Sequence, residues 1–288
     1  MILIDLNQVF VSAIMTDLKS AQTKTSDFDE NLIRHIILNC IRSYIRQFSH
    51  KFGKDVVICC DNREYWRKGV FPYYKANRKK DREASAIDWA TIFDIAGRIK
   101  EEMKQFLPYK VLDVTGAEAD DIIAVLTKRF AKDKDILILS SDKDYMQLQK
   151  HGQNVKQYSP IMKRFIHTDD PEMYIREHII RGDRGDGVPN FLSADSTFVS
   201  GGRQKTINSK KLAEWLAAPT PESFCINDTM KRGYSRNQIL VDMDYIPANI
   251  VEAIDKAYDE TSPAPRKMLL SYFMAKNMKH LLSVADEF

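Results

Sequence analysis

Thr115-Gly116-Ala117-Glu118-Ala119-Asp120-Asp121 follows directly on the apolar run Lys110 to Val114 and opens a stretch of helical periodicity that continues to about Phe130. Strand, glycine turn and acid-rich helix start, in that order, are the unit from which the fold reads. Acids in a first helical turn ordinarily complement the helix dipole and cap free N–H groups. Two carboxylates about 6 Å apart nevertheless repel by roughly 3 kcal/mol at an effective dielectric near 20. Similar acids recur after other predicted strands, at Asp5, Asp61, Asp142 and Asp144. A recurring cost of that kind calls for positive charge at the place where they meet.

Outward from this packet, Met1 to Leu6 reads as a buried strand with Asp5 near its end, and Val56 to Cys60 as a second with Asp61 immediately after it. Lys110 to Val114 is a third, and Asp135 to Leu139 a fourth ending in Ser140-Ser141-Asp142-Lys143-Asp144. Val155 to Tyr158 and Arg164 to Ile166 read as a short hairpin at the sheet edge. Helical spacing covers Glu30 to about Phe52 and Ser85 to Phe106, and the polar stretch from about Asp17 to Asp29 reads as a loop. The alternation predicts an α/β fold with a mainly parallel central sheet flanked by helices. Ligands of such sheets bind beyond the carboxyl ends of the strands. That rule gathers Asp5, Asp61, Glu118, Asp120, Asp142 and Asp144 on one rim.

The last hundred residues change character. After the helix-like Pro171 to Ile180 comes Gly182-Asp183-Arg184-Gly185-Asp186-Gly187-Val188-Pro189, too rich in glycine for a helix interior. Helical patterns resume near Ser209 to Ala217, Asn249 to Tyr258 and Arg266 to Ser283. The expected division is a core over 1–180, including a basic segment over 63–85, and a smaller all-helical region over 181–288. No Pro/Ser/Gly-rich spacer separates the two, so the helical region should pack against the sheet.

The 288 residues are 44% hydrophobic, enough for a full core, and carry a formal charge of +3. The charge is unevenly placed. Residues 63 to 82 hold eight Lys or Arg against two acids, so the remainder sums to about −3 by difference. One basic strip and one acidic focus suit a polyanionic substrate, held by cations and cut beside metal-bound carboxylates. Cys40, Cys59, Cys60 and Cys225 show no Cys-x-x-Cys spacing and read as reduced core thiols. No signal segment and no run of 18 apolar residues is present, which points to the cytoplasm.

Oxygen ligands without cysteine or histidine favour Mg²⁺, with Mn²⁺ as a substitute. The six histidines, at 35, 50, 151, 167, 178 and 280, all stand outside the acidic segments and read as ordinary surface or core residues. Caging two ions for phosphodiester hydrolysis takes roughly six to eight acids. The rim supplies six, and Asp183 with Asp186 complete eight if their turn folds toward it. In the basic strip, Tyr65, Trp66, Phe71, Tyr73 and Tyr74 are interleaved among the cations. Such interleaving suits single-stranded nucleic acid, whose bases stack on rings while cations meet phosphates. Pro72 and Gly69 argue against one continuous helix there.

Ile4-Asp5, Asp61, Tyr74-Lys75-Ala76-Asn77-Arg78, Glu118-Ala119-Asp120-Asp121, Ser141-Asp142-Lys143-Asp144 and Gly182-Asp183-Arg184-Gly185-Asp186 together resemble the ordered motif set of the flap endonuclease, or 5′ nuclease, superfamily. The likeness extends to the tail, where Asp242-Met243-Asp244-Tyr245-Ile246-Pro247, Ser271-Tyr272-Phe273 and Glu287-Phe288 resemble the T-even phage ribonuclease H branch. The resemblance implies a metal-dependent 5′ to 3′ exonuclease with flap endonuclease activity, removing RNA primers and adjoining DNA during lagging-strand synthesis. It implies that Asp5, Asp61, Glu118, Asp120 and Asp142 surround a first ion and Asp144, Asp183 and Asp186 a second. Lys75 and Arg78, catalytic together with Asp120 and Asp142, would contact the scissile phosphate, with Tyr74 stacking nearby. Arg67, Lys68 and Lys79 would line the same strand.

The resemblance also implies a helix-three-turn-helix element from Gly182 onward that grips duplex phosphates. The Gly-x-Gly hairpin common in the family is missing here, which leaves Gly201-Gly202 with Arg203, Lys205, Lys210 and Lys211 for that grip. The implied partners are RNA–DNA hybrid, 5′ flap and forked duplex DNA, and a phage single-stranded DNA-binding protein at the C-terminal region. The chain would act as a monomer in the host cytoplasm, without a membrane. It begins flush with its first strand, so no N-terminal tail is expected to reach a sliding clamp. Two alternatives compete: a non-cutting structure-specific nucleic-acid-binding protein, and a PIN-type endoribonuclease. The first leaves clustered acids facing phosphates without a use, and the second leaves the basic strip and helical tail unexplained.

Overall fold

The computed structural model describes residues 1–21, 29–85 and 87–288, with the side chains of 15–21 and 79–81 outside the described set. In chain order the strands are β1 (Ile2–Asp5), β2 (Val56–Cys60), β3 (Lys110–Asp113), β4 (Ile136–Leu139), β5 (Val155–Ser159) and β6 (Arg164–Ile166). The helices are α1 (Leu6–Ala21), α2 (Glu30–Phe52), α3 (Arg67–Val70), α4 (Ala76–Glu83), α5 (Trp89–Phe106) and α6 (Ala119–Phe130), then α7 (Pro171–Arg181), α8 (Ser209–Ala217), α9 (Asp228–Val241), α10 (Ala248–Glu260), α11 (Arg266–Ala275) and α12 (Lys279–Ser283). A 3₁₀ segment, Lys143–His151, follows β4.

The six strands form one sheet in the order β3-β2-β1-β4-β5-β6. All pairs are parallel except β5 with β6, the hairpin at the edge. The wholly apolar β2 and β4, and β1 up to Asp5, read this way because both faces of the sheet's centre are covered. Along β1, Ile2 and Ile4 join a core with α2, α5 and α11, while Met1 and Leu3 face a second core with α6 and α10. The same alternation sends Cys60 to the first core and Cys59 to the second, so these neighbours remain separate free thiols. The chain leaves β1 for β2 on one side and places β4 on the other. The crevice beyond their carboxyl ends is therefore the topological switch point.

Three differences from the sequence expectation stand out. Asp17–Ala21 continue α1 rather than beginning the loop, whose remainder, 22–28, lies outside the described residues. Asp228–Val241 form a helix, α9, that the apolar pattern did not announce. Arg266 to Ser283 is broken by Asn277, whose φ of 55° ends α11 before α12 begins, a conformation asparagine tolerates better than most residues. The turns after Gly182 run without an α-helix until Ser209, so the helix preceding them is α7. No helix among the described residues is long and apolar enough to cross a membrane.

Candidate metal centre and nucleic-acid interface

Asp5 is the last residue of β1 and only 7% exposed. It accepts hydrogen bonds from the Gln8 N–H at 3.2 Å, the Ser140 hydroxyl at 3.1 Å and the Tyr145 hydroxyl at 3.3 Å. Burial, then the nearby Asp61, push its carboxyl up to about 7. The single hydroxyl proton of Tyr145 is shared with Asp120 Oδ1, the nearer partner at 2.6 Å, and so ties the end of β1 to the first turn of α6. Burial raises Asp120 as well, opposed by Lys75 and reinforced by Asp142 and Asp5. Asp61 caps α6 from outside, accepting the Ala119 N–H at 2.7 Å, and takes a further hydrogen bond from Asn7. Asp142 begins the 3₁₀ segment by accepting the Asp144 N–H at 3.0 Å. Asp5, Asp61, Asp120 and Asp142 thus share one rim and one field, each within electrostatic reach of Asp120.

Glu118 plays another part. Its two oxygens meet Lys75 Nζ at 2.5 Å and Arg67 at 3.0 Å, and the residue is 1% exposed. Arg67, expected to touch nucleic acid, is buried instead, bridging Glu118 and Asp121 (2.8 Å) and donating to the Leu240 carbonyl at 3.1 Å. Its guanidinium is the counter-charge that the acidic packet requires. Tyr74 is likewise turned inward, 3% exposed, and donates to Asp186 Oδ2 at 2.6 Å, so it is not a free stacking platform. Phe71 is buried in the same apolar cluster, with Tyr65 packed against it, and Tyr73 is the exposed ring of the five. Phe71, Tyr74 and Tyr65 therefore anchor the basic strip to the helical region, while Trp66 packs against the sheet core that holds α6.

Lys75 sits at φ 55°, a conformation unusual for a residue with a Cβ. Its N–H donates to the Asp186 carbonyl at 2.7 Å. Arg78 pairs with the Asp186 carboxylate, and its Nε donates to the Gly185 carbonyl at 3.1 Å. Although burial works against it, Lys75 and Arg78 hold Asp186 below the usual carboxylate range. Asp186 is therefore engaged by cations rather than free beside Asp183. The sequence expectation missed His178 as a member of this group. Asp144, His178 and Asp183 present donor atoms that all lie within 4.8 Å of one another. Burial raises the Asp144 and Asp183 carboxyls and lowers the His178 imidazole, the nearby carboxylates opposing it at the histidine. The clue in the sequence is positional: His178 lies in the last turn of α7, five residues before Asp183.

Lys68 is exposed over the Tyr65 ring, 4.3 Å from its centroid, and Arg203, Lys205, Lys210 and Lys211 are all exposed around the start of α8. Lys79 lies on α4 with its side chain outside the described set. A pair of oxygen-rich donor sets, one of them converged and holding an orphaned ring nitrogen, fits divalent ions.

A family model described as "5′-3′ exonuclease, N-terminal resolvase-like domain" matches residues 1–178, and one described as "T4 RNase H, C terminal" matches 169–288. The chain belongs to the 5′-3′ exonuclease family, a family of nucleases. Within it, the Ribonuclease H of Enterobacteria phage T4 is 33% identical over 294 residues, covering 99% of this chain and 95% of that protein. A phage T5 5′-exonuclease with zinc bound shares the fold at TM-score 0.63 and 19% identity, over 91% of this chain and 97% of that one. A phage T5 flap endonuclease in a complex with DNA and metal ions shares it at TM-score 0.63 and 18% identity, over 90% and 97%.

Proposed function

We propose that this chain is a Mg²⁺-dependent 5′ nuclease that removes RNA primers and adjoining DNA and cuts 5′ flaps during lagging-strand replication. One observation carries the reading: acids from the ends of β1, β2 and β4 and the start of α6 meet at one rim, and the same strip that supplies Lys75 and Arg78 closes over it. Divalent ions bound there would supply the Lewis acidity that activates water and stabilises the departing oxygen. Asp5, Asp61, Asp120 and Asp142 hold one ion, and Asp144 and Asp183 another. Lys75 and Arg78 exchange Glu118 and Asp186 for the scissile phosphate and stabilise charge developing on it. Lys68 follows the displaced strand, and Arg203, Lys205, Lys210 and Lys211 take duplex phosphates by charge alone. A phage T4 relative named Ribonuclease H and a phage T5 neighbour titled a flap endonuclease in complex with DNA support RNA–DNA hybrid and flap substrates. A monomer in the host cytoplasm, and contact of the helical region (181–288) with a single-stranded DNA-binding protein, are proposed on the sequence resemblance alone.

The test is a 5′-labelled flap duplex and an RNA primer on DNA, each incubated with Mg²⁺ or chelator and sized. Short 5′ products are expected with Mg²⁺ only, and Asp120→Asn should abolish them while duplex binding in Ca²⁺ persists. Cleavage that survives chelation, or undiminished turnover by Asp120→Asn, would overturn the metal assignment.

A further inference from the structure

Building on the reading of this rim as a metal centre, we propose that His178 gives one of the two ions a nitrogen ligand, so that Asp144, His178 and Asp183 form a mixed rather than an all-carboxylate site. Their donor atoms span no more than 4.8 Å. Ligands about 2.1 Å from a common ion lie about 3.0 Å apart when adjacent and at most about 4.2 Å apart when opposite, so a pair at the 4.8 Å limit must close by at least about 0.6 Å for the set to share one ion. His178 Nε2 is shut off from solvent and makes no hydrogen bond. Its 3.2 Å approach to Asp144 Oδ1 is proximity without hydrogen-bond geometry. Leaving such an atom unpaired is costly, and an ion that accepts its lone pair removes the cost.

The ring is held in position for this. It stacks on Tyr174, one turn earlier on α7, with centroids 5.9 Å apart and planes 11° from parallel. The other donor expected here, Asp186, is taken up by Tyr74 and Arg78. Three protein ligands then leave open positions for water and a phosphate oxygen. Carboxylate and water donors suit Mg²⁺ and Mn²⁺, whereas imidazole suits Zn²⁺, Ni²⁺ and Fe²⁺. The mixed site therefore admits softer divalent ions more readily than its neighbour.

The experiment is electron spin echo spectroscopy of the full-length chain loaded with Mn²⁺, with binding stoichiometry measured alongside. Two bound ions and a ¹⁴N modulation from directly coordinated imidazole are expected, with the modulation lost in His178→Gln. Zn²⁺ should displace one Mn²⁺ from the wild type at a concentration at least about tenfold lower than from the variant. Bound Mn²⁺ without nitrogen modulation, or modulation that persists in His178→Gln, overturns the histidine ligand and leaves the metal centre standing. A wild-type chain that binds no Mn²⁺ overturns both. The wild-type spectrum is decisive by itself should the variant fail to fold.

Discussion

Arg67 carries its charge at 3% exposure between Glu118 and Asp121, which are 1% and 0% exposed. Removing one member of a buried ion cluster strands the others, at a cost of about 3–5 kcal/mol. Arg67→Met should therefore lower stability by that order in urea denaturation, whereas Lys68→Met, on the exposed side of the same helix, should leave the midpoint unchanged. Equal, small effects would deny Arg67 its role as counter-charge. Asp5 titrates in the opposite sense to a salt-bridged acid. Its carboxyl is raised from 3.8 to about 7 in the folded chain, so the native state holds this proton more tightly than the unfolded state. The stability it contributes is complete below about pH 4 and is lost as the pH rises to about 7. Asp120, Asp144 and Asp183 shift the same way. Metal-free protein should accordingly melt at a lower temperature at pH 8 than at pH 5, and Mg²⁺ should flatten that slope. A melting temperature that rises with pH would contradict it. The rim acids were legible because each stands just past an apolar run. The inward turn of Arg67 and Tyr74 was not, since a cation-rich strip has the same composition whether it faces phosphate or buried carboxylate.

At the scale of the element, α9 shows how the glycine-rich turn is held. Arg236 donates to the carbonyls of Pro189 (2.6 Å) and Asn190 (3.1 Å), and Asn237 to those of Ile179 (2.8 Å) and Pro189 (3.0 Å). These bonds fix both sides of the loop that carries Asp183 and Asp186. The helix approaches so closely because residue 233 is glycine: a Cβ there would lie 2.0 Å from the Phe191 carbonyl oxygen. Alanine is the better helix former by about 1 kcal/mol, yet the backbone it meets cannot give way as a side chain would. Gly233→Ala should destabilise by about 1–3 kcal/mol and weaken ion binding at Asp144 and Asp183, read by denaturation and Mn²⁺ titration. A gain in stability would show that α9 is free to move. The same chemistry hid α9 from its sequence, because its buried face includes Gly233 and Asn237 beside Tyr234, Leu240 and Val241. A buried asparagine and a glycine at a close approach erase the apolar stripe by which helices such as α2 and α5 announce themselves.

Across the whole molecule, the C-terminal helices divide between the two faces of the sheet. Ile250, Ile254 and Tyr258 of α10 pack with Leu3, Val57 and Ile122, while Leu269, Tyr272, Phe273, Leu281 and Phe288 pack with Ile2, Ile4 and Ile58. Polar ties reinforce the second face: Tyr272 donates to Glu102 at 2.7 Å, Lys276 pairs with Glu102 at 2.6 Å, and Arg266 donates to the Phe288 carbonyl at 2.7 Å. The missing spacer in the sequence foretold this packing, although nothing in the apolar pattern said which helix would serve which face. Burying a large apolar side chain is worth about 1.5–3 kcal/mol, so the five at the end of the chain together contribute an amount comparable with the 5–15 kcal/mol by which a typical protein is stable. A chain ending at Glu260 should therefore lose its near-ultraviolet circular dichroism and its cooperative melt, even though every rim acid is retained. Leu281→Ala with Phe288→Ala, which leaves the chain full length, should lower the melting temperature without changing the cleavage pattern on a flap substrate. A folded, cooperative 1–260 fragment would mean that the sheet closes its own core, and that the helical tail was added to it rather than built into it.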